Sequence, residues 1–389
     1  MKYDFDTPVE RRGTNCVKWD ILKDGELPMW VADMDFPAAA PIREALQKRL
    51  DHGVFGYNII PDKWYGAYSS WWKARHGLEF SKENLIFCTG VIPAISSAVR
   101  KLTTPAEKVL VQTPVYNNFY SSILNNGRVV IENRLKYNGT RFDIDFDDLE
   151  EKLADPQTTL MILCNPQNPT GNIWSRDELS KIGALCKKYG VAVLSDEIHC
   201  DVTAPGASYV PFASVNDECK YNSITCIAPT KAFNIAGIQT AAVLAFDRAL
   251  YNKINRALNT DEVAEPNSFA VDAAIAAFEK CGDWLDEMRA YVYQNKRAVA
   301  EFLTSELPDV TLVESEATYL LWLDCSKVFP NNVNPSEYIR RASGLFVSDG
   351  AAYGKQCDKF IRFNIACPRS QVNDALRRLK KAVGSVKIK

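Results

Sequence analysis

Ile224-Thr-Cys-Ile-Ala-Pro-Thr-Lys-Ala-Phe-Asn-Ile-Ala-Gly237 sets a lysine, Lys231, after a short β-branched apolar run and ahead of small residues ending in glycine. An ordinary lysine stays on a solvated face, because ammonium groups are almost never fully buried without a partner. At the end of a buried strand the same group loses hydration and its pKa falls. The neutral amine is then a nucleophile toward carbonyl carbon.

Outward from this stretch, the chain between Asn84 and Phe246 alternates short apolar runs with amphipathic segments. Seven runs read as strands: Leu85–Cys88, Val109–Gln112, Val129–Ile131, Leu160–Cys164, Val191–Leu194, Ile224–Ile227 and Thr240–Phe246. Strands apolar throughout, separated by helices, predict a mostly parallel sheet covered on both faces, an α/β fold. A helix is predicted over Ala94–Leu102. Another is predicted over Arg176–Tyr189, opened by Ser175 with Glu178 three residues on, a capping box. After Phe246 helical periodicity dominates through Leu307, with a break near Cys281-Gly282. Two further strands, Thr318–Leu323 and Phe360–Ile365, and a terminal helix near Gln371–Val383 complete an α+β segment.

Ligands bind beyond the carboxyl ends of strands in open α/β sheets. Cys164-Asn-Pro-Gln-Asn-Pro-Thr-Gly171 directly follows a strand, and its two Asn-Pro steps make a stiff turn that aims side chains one way. Ser195-Asp-Glu-Ile-His-Cys-Asp201 follows another. Its carboxylates and imidazole fit metal ligands, an acid/base pair or solvated loop charges. Cys88-Thr-Gly-Val-Ile-Pro-Ala94 is a strand-to-helix turn, suited to an anion at a helix N-terminus or to simple chain reversal.

A net charge of −2 over 389 residues, with 47% hydrophobic and 24% charged residues, gives no reason to expect nucleic acid or a membrane surface as partner. The N-terminus lacks an apolar secretion signal and no apolar run is long enough to span a bilayer, so a cytoplasmic protein is expected. Eleven cysteines are scattered without a C-x-x-C pair, and three histidines are too dispersed for a zinc site, so no metal is expected.

In order and wording these segments resemble the pyridoxal-phosphate enzymes of fold type I, in the class I/II aminotransferase group. Leu27-Pro-Met-Trp-Val-Ala-Asp-Met-Asp-Phe36, Ser195-Asp-Glu-Ile-His199 and Pro229-Thr-Lys-Ala-Phe-Asn-Ile-Ala-Gly-Ile-Gln239 are similar to the MalY/PatB-type cystathionine β-lyases and to cystalysin. The resemblance implies a large domain over 43–275 with a mostly parallel seven-stranded sheet. It also implies a smaller α+β domain from 1–42 with 276–389. Lys231 would hold pyridoxal 5'-phosphate covalently and move protons at the substrate α-carbon. Asp196 would pair with the ring nitrogen, Asn168 with the phenolic oxygen, and Tyr116 would stack on the ring. Gly90, Val91 and Ile92 would offer backbone N–H groups to the phosphate, and Thr230 and His199 would join the coenzyme's surroundings. Tyr57 would reach it from a neighbouring subunit in a homodimer with interfacial active sites. Arg362 would clamp the substrate carboxylate, with Trp30 and Tyr57 beside the substrate.

Three positions depart from the broader aminotransferase pattern: Ala228 for a serine, Gln239 for an arginine, and His199 for a tyrosine. The implied reaction is carbon–sulfur β-elimination from cystathionine or related S-substituted cysteines, giving pyruvate, ammonia and a thiol. An aminotransferase using the same residues is the alternative, followed by a regulatory protein that binds the coenzyme and a partner.

Overall fold

The computed structural model describes residues 2–386. Alternate side chains of a strand face opposite ways, and the strand Thr158–Cys164 shows what this does here. Leu160, Ile162 and Cys164 pack into one core cluster, whereas Met161 and Leu163 pack into another. Both faces are therefore dry, which is why the strand reads as an unbroken apolar run.

Seven strands form the central sheet: β1 Leu85–Cys88, β2 Lys108–Thr113, β3 Val129–Arg134, β4 Thr158–Cys164, β5 Ala192–Asp196, β6 Ser223–Ile227 and β7 Ala241–Ala245. Their order is β1-β7-β6-β5-β4-β2-β3. Only β7 runs against its neighbours. The expected mostly parallel seven-stranded sheet is thus observed. Register places Cys164 opposite Asp196 and Asp196 opposite Cys226, so these strands end together at one edge.

Helix α1 (Val91–Leu102) covers one face. Val91, Ala94, Ile95, Ala98 and Val99 are buried at helical spacing and pack with Ile86, Val109 and Ile162. The helix begins three residues before the sequence expectation. Pro93 lies in its first turn, where a missing N–H costs no intrahelical bond. Helix α2 (Arg176–Lys188) covers the other face through Leu179, Ile182 and Cys186. Its capping box is present: Ser175 N donates to Glu178 Oε2 at 2.7 Å, and Glu178 N donates to Ser175 Oγ at 3.2 Å.

Helices α3 (Ala270–Lys280) and α4 (Gly282–Glu306) meet at the break expected near Cys281-Gly282. Beyond them lies an antiparallel sheet of β8 (Thr311–Leu312), β9 (Leu320–Asp324), β10 (Ser348–Asp349) and β11 (Phe360–Asn364), ordered β8-β9-β11-β10. The N-terminal segment joins this region, with Leu27 and Pro28 paired to Leu345 and Phe346. Residues Trp30–Phe36 then cross toward the edge where β4, β5 and β6 end. Two helices outside the sequence expectations, Ala40–His52 and Asp62–His76, pack beside α3. No helix among the described residues is long and apolar enough to cross a membrane.

Gly171, at the end of the Asn-Pro turn, ties the two sheets together. Its carbonyl accepts from Glu316 N at 2.9 Å and Ala317 N at 3.0 Å. Its φ is +73°, and a Cβ there would lie 2.4 Å from Ser315 Cβ and 2.7 Å from Ala317 O. Gly171→Ala should therefore lose at least about 2 kcal/mol of stability, from left-handed backbone strain plus overlap. Urea denaturation checks this, and a change under about 0.5 kcal/mol would contradict the assigned packing.

Candidate active site

The carboxyl edge of the central sheet opens into a cavity of about 270 Å³. Each expected segment delivers its residues there by the same device, a strand that ends and releases a turn. After β1 come Gly90, Val91 and Ile92; after β4, Asn168; at the end of β5, Asp196 and then His199; after β6, Thr230 and Lys231. Tyr116, just past β2, lines the cavity as well. Nine of the positions expected from the sequence thus share one space.

Burial sets the electrostatics. Asp196 is pushed up to about 7, mainly because its charge is desolvated. The Ile198 N–H, donating to Asp196 Oδ1 at 3.1 Å, and the nearby Lys231 pull the other way. Lys231 is lowered to about 8, first by desolvation and then by the positive Arg362, against the opposing pull of Asp33 and Asp196. Its Nζ donates to Ala32 O at 2.6 Å. His199 is lowered to about 3 by burial and by the two cations, so its imidazole is neutral, and its Nδ1 has no hydrogen-bond partner among the described residues.

The neighbouring carboxylates point elsewhere. Glu197 takes hydrogen bonds from Ser195 Oγ at 2.7 Å and Phe212 N at 3.0 Å. Asp201 lies 2.8 Å from His76 Nε2 and accepts from Trp71 Nε1. The metal-type donors that cluster among the described residues are His76, Cys200 and Asp201, and that cluster excludes both Asp196 and His199. The Ser195–Asp201 segment therefore gives the cavity one acid and one neutral ring.

Arg362 lies in the middle strand position of β11, between Trp322 and Ser348. The sequence of this strand also permits an alternating one with the arginine on the surface, but all five residues are buried and Arg362 is only 4% exposed. It donates to Asn168 Oδ1 at 3.1 Å and to Trp30 O at 2.8 Å, and lies 4.9 Å from the Tyr353 ring centroid. Its Nε has no hydrogen-bond partner among the described residues.

Three expected residues, Arg362, Trp30 and Tyr57, do not line the cavity. The Trp30 indole stacks on Phe346 at 5.1 Å and donates to Lys18 O, leaving only its carbonyl in contact with Arg362. Tyr57 is fully exposed on the connection between the two N-terminal helices. Residues without a sequence assignment also take part. Ala32 receives Lys231, and Asn234 holds the Trp30–Phe36 strap through Met34 and Phe36. Tyr353 lies beside Arg362. Only the fold brings these positions together; Ala32 and Asn234 lie within the Leu27–Phe36 and Pro229–Gln239 stretches, where the resemblance assigns them no role.

The sequence profile for aminotransferase class I and II matches residues 35–379. The chain belongs to that family. Among curated relatives of this aminotransferase-family chain, the cystathionine beta-lyase PatB of Bacillus subtilis is 43% identical, over 98% of this chain and all of PatB. Protein MalY of Escherichia coli is 31% identical, over 99% of this chain and all of its own. The crystal structure of cystalysin from Treponema denticola, which contains pyridoxal 5'-phosphate, superposes with a TM-score of 0.96 at 30% identity, covering both chains completely.

The lowered pKa of Lys231 has a direct consequence. Only the neutral amine attacks a carbonyl, so reactivity rises with pH through the folded-state value. In coenzyme-free protein, reductive methylation at Lys231 should be half-maximal near pH 8, whereas exposed lysines need about pH 10.4. Peptide mass spectrometry across pH measures this. A midpoint near 10 at Lys231 would contradict its desolvation.

Proposed function

We propose that this protein is a pyridoxal-phosphate-dependent carbon–sulfur β-lyase acting on cystathionine or related S-substituted cysteines. The meeting of Lys231, Asp196, Asn168 and the start of α1 in one cavity carries the coenzyme part of this reading, and the 43% identity to the cystathionine beta-lyase PatB supports the lyase part. The open donors and acceptors fit the coenzyme. The N–H groups of Val91 and Ile92 have no acceptor among the described residues, which suits a phosphate. Asp196 is a buried carboxylate without an ion-pair partner among the described residues, which suits a protonated ring nitrogen. Tyr116 offers an aromatic face, its hydroxyl held by Asn118 Nδ2 at 2.8 Å.

Pyridoxal phosphate, when bound, supplies an electrophilic carbonyl and a ring that draws electrons from the substrate α-carbon. The protein's part is to bind, orient and move protons. Asp196, ionised beside a ring N–H, would keep that proton in place and with it the electron-withdrawing character of the ring. Arg362 would receive the substrate carboxylate through its unpartnered Nε and a guanidinium edge already oriented by Asn168 and Trp30 O. The substrate's α-carbon would then sit within reach of Lys231, whose depressed pKa leaves a useful fraction neutral near pH 8. Loss of the β-thiolate requires that the α-proton leave first, and Lys231 Nζ is the base placed to take it. His199, neutral across the working pH range, would accept or donate a hydrogen bond without adding charge.

A second copy of the chain would complete the site. Tyr57 is fully exposed, and Val54, Phe55 and Ile59 beside it are 63%, 52% and 81% exposed. This apolar run would be covered in a homodimer, with Tyr57 delivered to the neighbouring cavity.

Incubation of the purified holo-protein with L-cystathionine and no 2-oxo acid tests the reading. Pyruvate, ammonia and thiol should appear in equal amounts. Turnover only after an amino acceptor is added would overturn the lyase reading in favour of transamination.

A further inference from the structure

We propose that this site holds the coenzyme phosphate without a cation of its own, so that the bound phosphate takes up a proton within the neutral pH range. The inference rests on the pyridoxal-phosphate reading above. The anion-binding end of the cavity is the start of α1, where Val91 and Ile92 offer N–H groups and Pro93 has none to offer. Thr89, Thr230 and Gln239, all uncharged, line the same cavity. Gln239 closes the short turn Ala236–Ile238 with φ at +57°.

Lys231 is the one lysine or arginine lining the cavity among the described residues. Its amine is committed to the coenzyme's carbonyl, not to the phosphate. Arg362 does not line the cavity and is engaged by Asn168, Trp30 O and Ser348. The other titratable groups facing the space add no positive charge. Asp196 is an acid, and His199 is held neutral. Burial raises Tyr116 and Cys164, which stay protonated. Asp33 acts on Lys231 from the Trp30–Phe36 strap, outside the cavity lining, with its carboxylate paired to Arg11 and Lys18.

A helix N-terminus acts as roughly half a positive charge, felt within its first turn. An arginine brings a full charge and a fork that matches two phosphate oxygens. A phosphate monoester gives up its second proton at about pH 6. A full cation in contact would move that step below the working range. Half a charge, with no full cation in contact, leaves it close to the ordinary value.

Phosphorus NMR of the holo-protein between pH 5 and 8.5 tests the proposal. The bound resonance should move with pH, with a midpoint within about one unit of 6. Gln239→Arg should lower that midpoint by at least about one unit, and Gln239→Glu should raise it by a similar amount, as a full charge of either sign does nearby. A wild-type resonance that stays fixed across the range overturns the proposal, whether the missing cation comes from a second copy or from elsewhere. A midpoint that neither variant moves overturns the placement of Gln239 against the phosphate. Absence of any bound phosphorus signal overturns the underlying coenzyme reading, and so is distinct from a fixed one.

Discussion

Desolvation at the carboxyl edge of the central sheet is the constraint on which the site depends. The edge gathers Lys231 and Asp196 in one cavity, with Arg362 behind Asn168. Burial penalises every charge, so Lys231 is lowered to about 8 and Asp196 raised to about 7. Neither group is at rest in the free protein. A cationic ring placed against Asp196 would relieve the acid, and a carboxylate placed against Arg362 would relieve the guanidinium. The cavity therefore favours a ligand that brings a positive ring at one point and a negative group at another.

The strap Trp30–Phe36 closes this arrangement with backbone carbonyls. Trp30 O, Val31 O and Ala32 O receive Arg362, Asn364 and Lys231 in turn. Behind the strap lies a buried ion cluster. Lys18, 1% exposed, pairs with Asp35 at 2.7 Å, and Arg11 reaches Asp33 and Asp35, each at 2.7 Å. Two cations and two carboxylates balance, and removing Lys18 or Asp35 would cost the other, equally buried, a partner at 2.7 Å. The wording Ala32-Asp-Met-Asp-Phe36 thus has a structural account. Its acids face the N-terminal segment, and its backbone faces the active site.

Much of this was legible in the sequence wherever a local rule governs the outcome. Apolar runs became strands because both sheet faces are covered. Ser175 and Glu178 opened their helix as a capping box. The turn residues after β1, β4, β5 and β6 converged because parallel strands end at one edge. Arg362 is different, since burial in β11 depends on Asn168 and Trp30, roughly 190 and 330 positions away in the chain. The aromatic-rich helix Asp62–His76 carries buried residues at helical spacing, Trp64, Ala67, Tyr68, Trp71 and Trp72, yet aromatics and Gly66 give it weak intrinsic propensity. The place of Trp30 was not legible at all, because Phe346 and Lys18 determine which way its ring turns.

A second lysine sharpens the central claim. Lys296 on α4 is also lowered to about 8 by burial, so a depressed pKa alone does not single out Lys231. The two differ in surroundings: the Lys296 amine donates to Ser315, whereas Lys231 opens into the cavity opposite Asp196. Borohydride reduction of the holo-protein, followed by peptide mass mapping, separates them. The account predicts the coenzyme's added mass on the peptide containing Lys231 and on no other. Its appearance on the Lys296 peptide, or on neither, would contradict the claim that the carboxyl-edge cavity is the coenzyme site.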